Sequence, residues 1–109
     1  MRLTNYQQET ILQLFALYFS AGDSLWLFGS RVDAAKKGGD IDLYIETDND
    51  DLMAINQKKI IFARELKKRL GDQKIDIIVN QLNANNKLKI YDEARSTGIL
   101  LVKGSSPVN

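Results

Sequence analysis

Three aspartates interrupt otherwise apolar segments, and their side chains are the first candidates for chemistry. Asp40 and Asp42 are two residues apart in an alternating segment, so a strand places both on one face. Asp76 interrupts a second apolar segment, with isoleucine on both sides. Carboxylates at such positions are costly to desolvate unless they are paired or bind metal, and close carboxylates raise each other's pKa. If the two strands are neighbours, the three aspartates predict a site for Mg²⁺, which prefers hard oxygen ligands.

A glycine–serine pair provides a candidate anion site. Gly29 and Ser30 follow the apolar run at 24–28 and precede a predicted short helix from about Arg31 to Lys36. Backbone N–H groups at such a helix start, together with a hydroxyl, favour phosphate, and glycine allows the backbone to approach it closely. Basic residues that could neutralise a triphosphate lie nearby: Arg31, Lys36 and Lys37.

Each of these motifs also has an ordinary structural interpretation. Gly-Ser commonly follows a strand, Asp-x-Asp occurs on exposed strand edges, and Asp76 could simply face solvent from an amphipathic strand. The three motifs in this order, on these predicted elements, favour a functional site over coincidence.

The composition narrows the chemistry that this chain can perform. It contains no histidine and no cysteine, which excludes histidine-based triads, histidine general bases, most zinc sites and disulfides. Any catalysis must therefore rest on carboxylates, hydroxyls, lysine or arginine, together with a hard cation.

Charge and hydropathy indicate neither a nucleic-acid binder nor a membrane protein. Fifteen basic residues against fourteen acidic ones leave a net charge of +1, so bulk charge predicts no direct nucleic-acid binding. The sequence shows no signal peptide and no apolar run of the length that a membrane span requires. We therefore expect a cytoplasmic protein.

The hydrophobic pattern predicts eight elements that position the candidate residues. They are a helix from Thr4 to Gly22, a strand at 24–28, a short helix at 31–36 followed by a Gly38-Gly39 turn, a strand at 40–46, a helix capped by 48–51 and ending at Leu70, a strand at 74–79, a helix at 87–97 and a strand at 99–102. This order predicts one α/β (α+β) domain over residues 1–109, with three to four strands flanked by helices and a frayed tail at 103–109.

Taken together, the motifs resemble the minimal nucleotidyltransferases of the DNA polymerase beta superfamily. The resemblance rests on Leu27-Phe28-Gly29-Ser30-Arg31, on Gly39-Asp40-Ile41-Asp42 through Glu46, and on Lys74-Ile75-Asp76 through Val79. It implies the nucleotidyltransferase fold with a small mixed sheet, and Mg²⁺-dependent transfer that uses two ions and ATP.

The resemblance also implies roles for the candidate residues. Asp40 and Asp42 would hold both Mg²⁺ ions, and Asp76 would join the ion that activates the acceptor hydroxyl. The nucleotide-binding residues would be Gly29 and Ser30, on the β- and γ-phosphates, with Arg31 beside them.

Free-standing members of this group are commonly antitoxins paired with HEPN ribonuclease toxins, which they silence by transferring AMP to a tyrosine. We expect this chain, which has no histidine, to be the modifying partner, with its acceptor site completed by another chain or by a second copy in a homo-oligomer. Two alternatives remain open at this point: a binding-only antitoxin that acts by occlusion, and a small-molecule nucleotidyltransferase of the antibiotic-modifying type.

Overall fold

A computed structural model of the chain describes residues 3–32, 40–71, 73–84 and 87–105. Within these ranges the helices are α1 (Asn5–Tyr18), α2 (Leu52–Leu70) and α3 (Lys89–Thr97), and the strands are β1 (Ser24–Phe28), β2 (Ile41–Thr47), β3 (Ile75–Gln81) and β4 (Ile99–Val102). A 3₁₀ turn, Gly29–Val32, follows β1. The rest of the predicted short helix at 31–36 and the Gly38-Gly39 turn lie outside the described residues.

The four strands form one mixed sheet in the order β3-β2-β1-β4. β1 is antiparallel to both β2 and β4, whereas β2 and β3 run parallel. α2 provides the crossover that a parallel pair requires, since it connects the end of β2 to the start of β3. The predicted class, a small mixed sheet with helices, is confirmed.

The first face of the sheet packs against α1 and α2. The buried side chains on this side come from both helices and from the inward positions of the strands: Ile11, Leu14, Phe15, Phe19, Leu25, Leu27, Ile41, Leu43, Ile45, Phe62, Leu66 and Ile77. Ile41, Leu43 and Ile45 share this face, as the alternation in β2 predicts.

The second face of the sheet is also largely covered, because α3 packs across it. Trp26, Phe28 and Tyr44 form a smaller cluster with Ala94 of α3. Tyr44 is therefore only 1% exposed, although the sequence places it on the polar face of β2. The candidate aspartates lie on this same face, at the end of the sheet where β2 and β3 begin.

Local sequence signals account for several helix ends. Thr4 and Gln7 form the predicted capping box at the start of α1, with bonds of 3.0 and 2.9 Å. Asp51 caps α2 by accepting the N–H of Ala54, and Gly71, with φ +82°, ends that helix as predicted.

The predicted end of α1 at Gly22 is wrong, because the helix ends at Tyr18. Phe19 is extended, with φ −108° and ψ 167°, and its ring is buried in the core. The carboxylate of Asp23 accepts the N–H of Ser20 at 2.9 Å, which replaces the hydrogen bond that a longer helix would have supplied. A side chain five residues beyond the end of the helix thus stabilises the turn.

Several other boundaries differ by one or two residues from the sequence-based bounds. β2 begins at Ile41 and β3 at Ile75, each one residue later than predicted. β2 extends to Thr47 and β3 to Gln81, because these residues still pair in the parallel ladder. α3 begins at Lys89 rather than Lys87, after Leu88, which makes no side-chain capping bond.

The first residues of the predicted frayed tail form hydrogen bonds with the start of β1 and with the turn before it. Gly104 donates its N–H to Ser24 Oγ at 2.8 Å, and Ser105 donates to the carbonyl of Ala21 at 2.8 Å. Residues 106–109 lie outside the described part of the chain. None of the helices described has both the length and the apolar character needed to cross a membrane.

We expect Phe62→Ala to destabilise the protein by about 3–5 kcal/mol, because it removes a fully buried ring. This ring lies edge-on to Phe15 and Phe19, with centroid distances of 6.1 and 5.5 Å. Urea denaturation measures the loss. Ile60→Ala, which truncates a side chain 62% exposed on the same helix, is the control and should change stability by no more than about 0.5 kcal/mol.

Candidate metal and nucleotide site

The parallel register of β2 and β3 brings the three predicted carboxylates together. Asp42 lies directly opposite Asp76, and Ile41 opposite Ile75. One carboxylate oxygen from each of Asp40, Asp42 and Asp76 lies within 4.8 Å of the other two. Asp40 and Asp42 are half-buried, whereas Asp76 is exposed. The cluster therefore presents a concentrated negative charge on one open side.

The 3₁₀ turn after β1 packs directly against this cluster. Phe28, the last residue of β1, pairs with Asp42, so the turn begins beside that carboxylate. Gly29 has φ +76°, and a Cβ atom on it would overlap with Asp42 Oδ2. Glycine is required here both by the backbone conformation and by the close approach of the carboxylate.

Burial and mutual repulsion oppose the ionisation of Asp42. Its pKa is raised above 3.8, first by burial and then by the negative charges of Asp76 and Asp40. Lys74 acts in the opposite direction and lowers the pKa of Asp42. A carboxylate in this environment is stabilised by a cation placed between it and its neighbours.

The donor set fits a hard divalent cation. Three carboxylates converge where two adjacent strands begin, and the lack of a side chain at Gly29 allows the Asp42 carboxylate to occupy its position in the cluster. Mg²⁺ is typically held by one or two protein carboxylates, with phosphate and water oxygens completing its coordination. Asp40, Asp42 and Asp76 are the residues that would hold such a metal, and the 3₁₀ turn begins directly beside Asp42.

The other two predicted site residues follow Gly29 in the same turn. Ser30 lies within Gly29–Val32, and its side chain is outside what the structure describes. Arg31 donates from its guanidinium to Gln73 Oε1 at 2.6 Å. This bond links the turn after β1 to the segment that leads into β3.

Lys74 is the charged residue of this site that sequence reasoning missed. Its Nζ lies 3.8 Å from Asp40 Oδ2. The signal was present in the sequence, since Lys74 precedes Asp76 by two residues and the alternation of a strand places both on one face. Only the pairing of β3 with β2 shows that this face meets Asp40.

Two further polar residues on the aspartate face of β2 take no part in the cluster. Tyr44 donates its hydroxyl to Glu46 Oε2 at 2.8 Å and accepts from Asn80 Nδ2 at 3.0 Å. Arg95 of α3 also donates to Glu46, at 3.4 Å. Burial, as the main cause, raises the pKa of Tyr44 to about 12, so its hydroxyl stays protonated. These residues attach α3 to the sheet.

We expect Gly29→Ala to lower the affinity for Mg²⁺–ATP at least tenfold, because the new methyl group displaces the Asp42 carboxylate. Gly71→Ala is a matched control: its φ of +82° imposes similar backbone strain, about 1–2 kcal/mol, but open space surrounds the added Cβ. Isothermal titration calorimetry on both variants separates the two effects. If both variants bind Mg²⁺–ATP with equal affinity, the turn at Gly29 does not form part of the nucleotide site.

Asp42→Asn tests the electrostatics of the cluster. In metal-free buffer at pH 7 we expect a melting temperature higher by roughly a few degrees at most, because a repelled and partly buried charge is removed. Since the pKa of Asp42 is raised in the folded state, its ionisation lowers stability as pH rises above 3.8. The difference between variant and wild type should therefore vanish at pH 3, which scanning calorimetry at both pH values checks.

The same variant should lose Mg²⁺-dependent ATP binding while remaining folded. Asp48→Asn, which neutralises an exposed aspartate outside the cluster, is the control and should retain both the wild-type melting temperature and ATP binding. Undiminished affinity in Asp42→Asn would rule out a metal site at these carboxylates.

Comparison with known proteins agrees with this geometry. The family model described as "Polymerase beta, Nucleotidyltransferase" matches residues 9–106. A comparison with curated proteins gave no match. The matched region contains the turn after β1, the three carboxylates and all four strands. The chain therefore belongs to the polymerase beta nucleotidyltransferase family.

Proposed function

We propose that this protein is a Mg²⁺-dependent nucleotidyltransferase that transfers AMP from ATP to a tyrosine of a HEPN ribonuclease toxin, and so acts as its antitoxin. The observation that carries the proposal is the convergence of Asp40, Asp42 and Asp76 within 4.8 Å, directly against the turn that begins at Gly29. Family membership supports nucleotidyl transfer in general. That the acceptor is a protein side chain is the part of this proposal that goes beyond family membership.

The arrangement supports an in-line displacement at the α-phosphorus. The acceptor oxygen forms a bond to that phosphorus, the bond to the oxygen bridging the α- and β-phosphorus atoms breaks, and pyrophosphate leaves. Bound Mg²⁺ would lower the pKa of the acceptor hydroxyl and offset the charge of the leaving group. The N–H groups of the 3₁₀ turn would hold the departing phosphates, and Asp76, on the open side, would take up the acceptor proton or pass it to solvent.

The exposure of Asp76 supports an acceptor that arrives on another molecule. β3 is an edge strand of the sheet, and Asp76 faces solvent from it. Four cavities of 230–330 Å³ in the described part of the chain are lined by other residues, away from the three carboxylates. A docked protein would bring its own hydroxyl to this open side and supply the positioning that a built cleft would otherwise give.

Intact-mass spectrometry of the co-expressed pair tests this proposal. With wild-type protein we expect the toxin to become heavier by one or more AMP units, and with the variant carrying both Asp40→Ala and Asp42→Ala we expect no gain. Gly71→Ala, which alters the chain away from the carboxylates, should leave the modification intact.

Two outcomes would contradict the proposal. If the double variant neutralises the toxin as well as wild type does, and the toxin mass is unchanged in both cases, occlusion by binding is the mechanism. If the wild-type protein instead transfers AMP only to a small hydroxyl compound, the acceptor is not a protein.

A further inference from the structure

Lys74 lies just before β3, beside Asp40 and across β2 from the turn after β1. Its carbonyl accepts the N–H of Ile41 at 3.0 Å, which fixes its backbone at the start of the β2–β3 ladder. Ile41 pairs with Ile75, so the preceding residues, Asp40 and Lys74, are also neighbours across the two strands. The pair of opposite charges, Asp40 and Lys74, thus lies beside the pair of like charges, Asp42 and Asp76.

The contact between Lys74 and Asp40 is weak and easily exchanged. The Nζ to Oδ2 distance is 3.8 Å, and the two side chains are 70% and 43% exposed. Ion pairs with this exposure contribute little to folding stability, because water screens them and two long side chains lose freedom. The ammonium group can therefore move to another anion without disturbing the fold.

A second contact connects the residue before Lys74 to the 3₁₀ turn Gly29–Val32. Arg31 in that turn donates to Gln73, the residue immediately before Lys74, at 2.6 Å. This bond joins the turn after β1 to the segment that leads into β3. From this position the flexible Lys74 side chain can reach either Asp40 or an anion held at the turn.

The charge of Lys74 acts in opposite directions on two possible ligands. A bare Mg²⁺ entering among the carboxylates is repelled by the ammonium group and must compete with it for Asp40. A triphosphate anion that arrives with Mg²⁺ attracts the same ammonium group and releases it from Asp40. Coulomb interactions between charges a few ångströms apart near a protein surface are large enough to matter in both cases.

We propose that Lys74 couples metal binding to nucleotide binding, so that the site admits Mg²⁺ together with a triphosphate in preference to Mg²⁺ alone. Lys74 weakens the binding of the free metal and strengthens the binding of the metal–triphosphate complex. The coupling is reciprocal, as linkage requires: bound triphosphate raises the affinity for the metal, and bound metal raises the affinity for triphosphate. This inference rests on the nucleotide site of the proposed function and is independent of the acceptor.

Calorimetric titration of three lysine variants tests the coupling. Lys74→Met removes the charge at similar side-chain length, and Lys74→Arg retains the charge. Lys103→Met makes the same charge change just beyond β4, where Val102 pairs with Leu25 at the opposite end of β1 from Phe28. Each protein is titrated with Mg²⁺ alone, and with a non-hydrolysable ATP analogue at saturating Mg²⁺.

For Lys74→Met we expect Mg²⁺ alone to bind several-fold more tightly and the analogue to bind on the order of tenfold more weakly. Lys74→Arg and Lys103→Met should resemble wild type in both titrations. A merely structural role for Lys74 would weaken both ligands together and lower the melting temperature, which is recorded for every variant.

The possible outcomes separate this inference from the proposed function. If Lys74→Met changes neither affinity, or changes both in the same direction, the coupling role is overturned while the nucleotide site stands. If the wild-type protein binds the analogue and shows the coupling but modifies no toxin, the inference stands and the proposed acceptor fails. If the wild-type protein binds neither Mg²⁺ nor the analogue, both fail.

Discussion

The repulsion between Asp42 and Asp76 is the constraint on which the rest of this structure depends. The parallel ladder of β2 and β3 holds these residues directly opposite each other, with Asp40 close by. Like charges at this separation, one of them partly buried, oppose folding unless a cation lies between them. The two strands therefore require a rigid support that keeps the carboxylates together when no cation is bound.

That support comes from both faces of the sheet. On one face, the aromatic rings of α1 and α2 pack over the aliphatic residues of β2, so the strand cannot shift its register without exposing Ile41, Leu43 and Ile45. On the other face, α3 is attached through the bonds of Glu46 to Tyr44 and Arg95. The carboxylates lie at one end of this doubly covered sheet, where their oxygens are accessible and their backbone is fixed.

The site combines carboxylates on a fixed backbone with the positive charge of Lys74, whose side chain is exposed and can move. Gly29 places the turn after β1 against Asp42, while Lys74 contacts Asp40 through an exposed side chain. Asp76 is exposed, and this is the side from which the proposed acceptor would approach. The chain belongs to a nucleotidyltransferase family, and the sites proposed for metal, triphosphate and acceptor all lie at one end of its small sheet.

Much of this could be predicted from the sequence, because the decisive signals are local. Alternation along β2 determined which side chains share a face, Gly71 determined the end of α2, and the aspartates within apolar strands marked the site. Only the tertiary structure decided that β3 lies beside β2 in this register, that α3 buries Tyr44, and that Lys74 meets Asp40. It likewise decided that α1 ends at Tyr18, where Asp23 folds back onto Ser20. Periodicity specifies the faces of each element, but the pairing of faces and edges depends on packing between residues far apart in the chain, which no local pattern contains.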